Sequence, residues 1–415
     1  MVKKYVYQLG DYPCPPAAAS AAEARETAAL EAKNDALHAT LEMCKNQITR
    51  HHANHKWDHC KKYTNEYELV FTSSSDLPGL SSLSPISRSF FKLWELLHDF
   101  RADLLCADAE KMRAAFLAEG PGGFMEAFAH FREAAGGGQA DELHGMTLQP
   151  HGAQPPARAA PSWRLPSQLL RTGGYALHHG CDGTGNLYSV ANVDHLAAEV
   201  GPGSCHLVTA DGGFDFSSNF NSQEEVSTRL VACEVLAALA LQRAGGAFVL
   251  KVYDMQTRAT VRILHALRAC YGCVRLVKPL TSRPANSEKY VVCTGFLGAG
   301  SPAAAAATAA LRRACLSGGS PQAVVRELEA LGQLPAAFMR DVVEFNTVYI
   351  ARQVCYISRT LLLIKEDAAE VPQRTPLSDR VRCQLQKSLR WCHKYNVPVS
   401  LAAVRRYAVG AGAHG

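Results

Sequence analysis

Between Arg88 and about Leu297, short apolar runs of strand length alternate with stretches of helical length, and this alternation restricts the chain more than any other feature. Residues 112–117, 206–210, 247–252 and 290–294 read as buried strands, and residues 226–243 and 257–269 as helices. Strands that are apolar throughout need cover on both faces, so the expected fold is α/β, with helices on both sides of one sheet. Of the 415 residues, 47% are apolar and 20% charged, which suffices for such a core and excludes wholesale disorder. Lys and Arg exceed Asp and Glu by 5, a mild excess that suits a polyanionic partner without demanding one.

The flanks differ in texture. Residues 17–48, after Pro15 and Pro16, are rich in Ala and Glu with Leu30, Leu37, Leu41 and Ile48 at heptad-like offsets, which predicts one long amphipathic helix as an N-terminal arm. His51, His52, His55, His59 and Cys60 follow, and His51, His55 and His59 share a face if that helix continues. Zinc is one use for them; a solvated or RNA-facing basic surface beside Lys56, Lys61 and Lys62 is the other, and the cluster has no defined ligand set. Residues 72–87 are rich in Ser, Pro, Leu and Gly and read as a linker, or as a loop laid over the next domain. Beyond Gly298 the text is helical again, at 303–310, 323–331, 345–364 and 378–395; the Ala run is read as helix rather than linker because Ala is the best helix former.

Three parts result: an N-terminal helical arm and linker at 1–80, the α/β domain at 81–300, and a C-terminal helical extension at 301–415. The Pro-, Ala- and Gly-rich stretch 150–166 is expected to be an exposed loop, and 409–415 to fray. No window approaches the roughly 20 apolar residues that span a bilayer, and the first residues lack a secretory core, so the expected location is intracellular, in nucleus or cytoplasm, or in a viral factory or virion if the chain is viral. The 14 cysteines lie scattered in apolar segments and are expected as free thiols; Cys270 and Cys273 have CxxC spacing but no second pair, so a thiol pair in a turn is expected there rather than zinc.

Chemistry-bearing residues gather at strand ends. Glu119-Gly120-Pro121-Gly122-Gly123-Phe124 ends a strand and opens a helix, as ligand-binding βα turns do, although a tight turn alone also accounts for it. The segment is neither GxGxxG nor a phosphate-binding P-loop. Asp211 closes the strand 206–210, and Lys251 follows four apolar residues at the tip of another, either snorkelling outward or held in a cleft. Glu288 stands where the strand 290–294 begins, after the polar loop from Thr281.

Taken together these segments resemble the FtsJ-like (RrmJ-type) ribose 2'-O-methyltransferases, and within them the eukaryotic and viral mRNA cap enzymes. Ser87-Arg88-Ser89-Phe90-Phe91-Lys92-Leu93 is similar to the family's SR-x-x-x-K-L helix, Glu119 to Phe124 to its cofactor loop, and Gly145-Met146-Thr147-Leu148 to the strand that follows. Asp182-Gly183-Thr184-Gly185-Asn186 resembles the cap enzymes' DGTGD, with Asn in the last place; Asp211-Gly212-Gly213-Phe214 with Gln223-Glu224, and Thr281 to Cys293, are similar to further cap-type blocks. The likeness runs from about 85 to 400.

The resemblance implies a Rossmann-like, seven-stranded methyltransferase fold and a catalytic tetrad of Lys92, Asp211, Lys251 and Glu288. It implies S-adenosyl-L-methionine as cofactor, held by Glu119, Gly120, Pro121, Gly122, Gly123 and Phe124, with Asp182 toward the adenosine and Asp211 near the methyl group. The implied partner is the 5' end of capped mRNA, with other capping or transcription proteins as further candidates, and Asn221, Arg283, Asn286 and Ser287 are the expected RNA contacts. Phe214, Phe216 and Phe220 can serve as a stacking platform for the cap or as core that pins their loop. Methyl transfer from a sulfonium needs no metal, but a ribose hydroxyl must lose its proton as the bond forms. A lysine can take that proton if its pKa falls. A second ammonium about 4 Å away costs the charged form about 4 kcal/mol at an effective dielectric near 20, enough to bring an amine from about 10.4 to near 7. Lys251 is the expected base, Lys92 the ammonium that steadies the developing alkoxide, and Asp211 and Glu288 position them. Two alternatives stay open: ribose methylation of ribosomal or transfer RNA, and a catalytically silent relative that binds RNA or another enzyme.

Overall fold

Arg-Ala-Ala-Phe-Leu at Arg113–Leu117 buries its last four side chains in a row, and strands of this kind build the sheet of the computed structural model. The structure describes residues 6–11, 20–52, 55–72, 77–105, 110–138, 140–149, 163, 174–214, 216, 219–368 and 379–412. Its strands are β1 (Val6–Gln8), β2 (Arg113–Leu117), β3 (Glu142–Met146), β4 (Tyr175–His178), β5 (Cys205–Ala210), β6 (Gln242–Tyr253), β7 (Tyr271–Val277) and β8 (Glu288–Phe296). Its α-helices are α1 (Ala21–His52), α2 (Lys56–Thr64), α3 (Ser89–Asp99), α4 (Arg101–Leu104), α5 (Gly123–Ala134), α6 (Val190–Val200), α7 (Gln223–Leu241), α8 (Arg258–Cys270), α9 (Pro302–Leu316), α10 (Pro321–Leu328), α11 (Ala336–Ala368), α12 (Asp379–Lys394) and α13 (Leu401–Gly412).

The strands form one sheet in the order β1-β7-β8-β6-β5-β2-β3-β4. Strands β2 to β6 run parallel, and β8 lies antiparallel between β6 and β7. The expected seven strands are joined by an eighth, because β1 pairs antiparallel with the outer edge of β7. Three residues are too few to show a period in the sequence, and pairing to an exposed edge supplies their backbone with partners. Chain order proceeds from β2 to β3 and β4 on one side and from β5 to β6 on the other, so the carboxyl ends of β2 and β5 border the crevice where open sheets of this type bind ligands.

Two apolar layers cover the sheet. One packs α6 to α11 on it; the other is built from Phe90, Phe91 and Trp94 of α3, Phe124 and Phe128 of α5, and Trp391 and Tyr395 after the chain has returned through α12. Ser301 and Ser320, each followed by Pro, accept hydrogen bonds at the starts of α9 and α10, so the Ala run folds as helix.

Several expectations need correction. The first helix ends at His52, and His55 adopts a left-handed conformation (φ 59°), so His51, His55 and His59 do not line one helical face. Among the described residues no group of three His, Cys, Asp or Glu is placed to hold a metal ion. In the stretch 72–87, residues 73–76 lie outside the described residues, while Leu77 and Leu80 are buried with Val381, Ala403 and Tyr407 of α12 and α13, an anchored loop rather than a linker. The insertion 150–166 lies outside the described residues except Trp163, whose half-buried ring lies against Gly122 and Gly145 and packs on the core beside α5. Residues 413–415 also lie outside them. The described cysteines are free thiols, Cys270 and Cys273 among them, and Cys233 and Cys315 meet with their sulfurs 3.4 Å apart. No described helix is long and apolar enough to cross a membrane.

Candidate active site

Lys92 lies on α3, whose other side chains are mostly buried, and it reaches over the sheet to Glu288 at the start of β8, with Nζ 2.7 Å from Oε2. The hydroxyl of Ser282 donates to the other Glu288 oxygen at 2.8 Å. Lys251, on β6, donates to the Asp211 carbonyl at 2.6 Å and lies 3.2 Å from its Oδ1, to which the Tyr290 hydroxyl also donates at 2.8 Å. The antiparallel register sets Lys251 opposite Tyr290 and Tyr253 opposite Glu288, so these four side chains share one face. The four residues of the implied tetrad therefore meet, as two ion pairs with side chains about nine-tenths buried.

The pairing changes the expected electrostatics. Burial drives Lys251 down, but Asp211, Tyr253 and Glu288 outweigh it and hold the ammonium above its ordinary range. Each ammonium faces a carboxylate, so the repulsion that was to bring Lys251 near neutrality is compensated. Burial likewise pushes Glu288 up, and Lys92, Lys251 and Lys278 reverse this, taking it down to about 2.

Buried charges outside the tetrad fix its geometry. Glu95, one turn after Lys92 on α3, accepts from the backbone N–H groups of Leu280 (2.8 Å) and Thr281 (3.2 Å), from the Thr281 hydroxyl, and from the Trp391 indole of α12. Lys278 donates to the carbonyls of Asn286 and Glu288, and burial holds its pKa well below the lysine range. The loop 279–287 that delivers Glu288 is thus clamped at both ends.

This clamping redistributes the expected RNA contacts. Arg283 forms a forked pair with the buried Glu68 (2.9 and 2.6 Å), which also faces Arg88, so its guanidinium is committed to the protein. Ser287 is buried and bonded to Gln353. Asn221 turns to Asn46 of α1. Asn286 remains exposed on a cleft of about 290 Å³ beside Glu288, whose walls include Lys45, Trp57, Lys61, Phe214, Phe216, Phe220 and Tyr253. Phe216 packs edge-on against Tyr253 and Phe214 against Phe216; Phe214 alone of the three phenylalanines is 42% exposed.

On the other side of Asp211 lies the glycine loop. Gly122 takes φ 115° at the start of α5, and a Cβ on Gly123 would collide with the hydroxyls of Ser87 and Ser89, so both need glycine. Gly120 N–H donates to Thr147 at 3.3 Å, and Gln149 N–H to the Thr184 carbonyl at 2.8 Å, joining the loop to the end of β3 and to the turn 182–186. Asp182 is exposed, accepts from Thr184 and Asn192, and those bonds hold its carboxyl below the usual range. Asn186 accepts from Tyr188 N–H, a bond an amide makes as well as an acid. Phe124 is core, against Tyr290. Glu119 does not line the cleft by its side chain: it turns into the core, where the Thr209 hydroxyl donates to it.

S-Adenosylmethionine fits this chemistry. Its amino-acid end carries an ammonium and a carboxylate beside the sulfonium, one net positive charge, and two buried carboxyl oxygens without a side-chain partner lie near, Glu119 Oε2 where the glycine loop begins and Glu234 Oε1 beneath Gly212, the residue after Asp211. Sequence reasoning missed Glu234, Tyr290, Lys278 and Glu95. Tyr290 was findable, being two residues after Glu288 on a strand, and Glu234 is a lone acid in an apolar helical run.

The sheet order and the ligand crevice define a Rossmann-like α/β protein with a methyltransferase-type site. The sequence model of the FtsJ-like methyltransferases matches residues 85–296, just over half of the chain, and the chain belongs to that family. It is 43% identical over 122 residues to cap-specific mRNA (nucleoside-2'-O-)-methyltransferase 1 of Trypanosoma brucei brucei, 29% of this chain and 33% of that protein. It is 34% identical over 194 residues to the Bos taurus enzyme of that name, 46% and 22% of the two chains. Inactive cap-specific mRNA (nucleoside-2'-O-)-methyltransferase 1B of Caenorhabditis briggsae is 32% identical over 192 residues, 44% and 22%. The chain thus spans about a third or less of the length of these relatives.

Proposed function

We propose that this protein transfers the methyl group of S-adenosylmethionine to a ribose 2'-OH near the 5' end of capped mRNA, with residues 81–300 as the catalytic unit. The observation that carries this is the meeting of Lys92–Glu288 and Lys251–Asp211 between the glycine loop and the aromatic cleft. The cofactor supplies a methyl group on positively charged sulfur, already activated for in-line displacement. Gly120 to Gly123 hold its amino-acid end, Asp182 stands toward the adenosine, and Asp211 borders the methyl. Lys92 orients the ribose hydroxyl and stabilises charge that develops on its oxygen. Lys251 accepts the proton from the fraction of sites in which it is neutral, so its pairing with Asp211 sets how large that fraction is.

The cleft supports a nucleotide as occupant: Phe214 offers an exposed ring and Asn286 an amide, while Lys45 and Lys61 on its wall are paired with Asp254 and Asp58. Relatives named as cap-specific support the capped end as substrate. The silent-relative reading draws on the inactive homologue, and against it stand the four tetrad side chains, all present and paired. Labelled cofactor offered with RNAs differing only at the 5' end tests the assignment. Transfer to capped RNA, at least about tenfold over triphosphate-ended RNA, with the label mapped to a ribose, is the expected result. Equal labelling of both would point to another RNA as substrate, and no labelling to the silent reading.

A further inference from the structure

Between the start of the glycine loop and Gly212 lie two acids for which the tetrad has no use. Glu119 follows β2 and Glu234 sits within α7, and both are more than nine-tenths buried. A Cβ on Gly212 would collide with Glu234 Oε1, so that carboxyl lies directly beneath the residue after Asp211. Glu119 reaches the same region from β2, through the hydroxyl of Thr209 on β5. One oxygen of each acid, Glu119 Oε2 and Glu234 Oε1, is sealed from solvent without a hydrogen-bond partner.

Charge is unbalanced there. The groups that bear on the pair are Asp211 after β5, Lys251 on β6, and Tyr188 and Arg229 around α7. Lys251 is already matched by Asp211, and Arg229 lies over the Tyr188 ring. Two further carboxylates have no cation of their own, and uncompensated buried ions are strongly unfavourable. Protonation removes that cost, as it does where two acids share one site. Burial, with Asp211 adding to it, pushes Glu119 well above the carboxylate range and Glu234 to about 8; the Thr209 hydroxyl and Lys251 pull Glu119 back, and Lys251 and the Gly212 N–H pull Glu234 back, only in part.

We propose that Glu119 and Glu234 form a proton-holding acid pair that ionises when the cationic amino-acid end of S-adenosylmethionine docks on the glycine loop, so that cofactor binding releases a proton to solvent. The inference rests on the cofactor reading above. The balance is simple: a neutral carboxylic acid plus the cationic ligand gives a carboxylate beside that ligand and one proton in water. Both acids act as positioning residues through the field at the loop. The demethylated product keeps its ammonium but has a neutral sulfur, so it holds the pair ionised less well, and transfer of the methyl group itself loosens the product.

Calorimetric titration of the full chain with S-adenosylmethionine at pH 7.5, in buffers of different ionisation heat, counts the protons. About one released per cofactor is expected, fewer with S-adenosylhomocysteine, and an affinity that falls up to tenfold per pH unit below 8. Glu234→Gln should still bind cofactor with little or no release; Glu119→Gln, the second variant, should cut the release as well. Binding with the same heat in every buffer overturns the inference and leaves the cofactor reading intact, as does full release in both variants. Failure of the folded chain to bind cofactor at all overturns both.

Discussion

At Lys251 two effects of burial compete. Loss of water disfavours the ammonium, whereas the Asp211 carboxylate 3.2 Å away favours it, and in a poorly solvated pocket the nearby opposite charge wins. A lysine held above its ordinary pKa is protonated through neutral pH, so the neutral base is a small fraction that grows tenfold per pH unit. The rate at saturating RNA should therefore climb with pH from 7 to at least 9 at close to that slope, and a plateau near 7 would show that Lys251 is not so held. Replacing Lys251 or Lys92 by Ala should each cost about 100-fold or more in the methyl-transfer rate. If Lys251→Ala keeps most of the rate and Lys92→Ala loses it, their roles are reversed. The residues at strand ends were legible as candidates from their position and from the resemblance, although for Lys251 the apolar run before it fits snorkelling as well as a cleft. The ion pairing was not, since Lys92 and Glu288 are 196 positions apart and only the fold shows which acid meets which amine.

At the scale of elements, Glu95 ties α3 to the loop 279–287, with Trp391 of α12 as a third party. Glu95→Ala would strand several buried donors, at about 1–3 kcal/mol for each one left unpaired. A stability loss of about 3 kcal/mol in denaturant titration is expected, together with a lower methyl-transfer rate as Glu288 loses its fixed place beside Lys92; an unaltered rate would show that the clamp does not position Glu288. Strands β2, β5, β6 and β8 were readable as apolar runs. Strand β7 was not, because Tyr-Gly-Cys-Val-Arg-Leu-Val follows α8 with no intervening turn and carries a glycine and an arginine, and β4 is only four residues long. The break at His55 was invisible for another reason: no Gly or Pro marks it, and the left-handed conformation, uncommon for any residue with a Cβ, leaves no pattern in the sequence.

Across the whole molecule, the N-terminal helix is bound into the site rather than trailing from it. Lys45 of α1 meets Asp254 at 2.6 Å, Lys289 reaches the same carboxylate at 3.2 Å, and all three are buried. Asn34 donates to the Gln256 carbonyl, and Asn346 of α11 donates to Asn34, so both helical flanks converge on the turn after β6. The heptad-like leucines revealed the helix but not its docking, which depends on polar residues spread over three segments. Lys45→Met should cost about 3 kcal/mol by leaving Asp254 under-compensated and, because Lys45 also lines the cleft, raise KM for RNA more than it lowers kcat. A change in stability with KM untouched would separate the helix from substrate binding. The central claim is that a ribose 2'-oxygen receives the methyl group. Its most direct measurement is label transfer to two capped RNAs, identical except that one carries 2'-deoxyribose at the first few nucleotides: the account predicts transfer to the ribose form alone, and equal labelling of the deoxy form would contradict it.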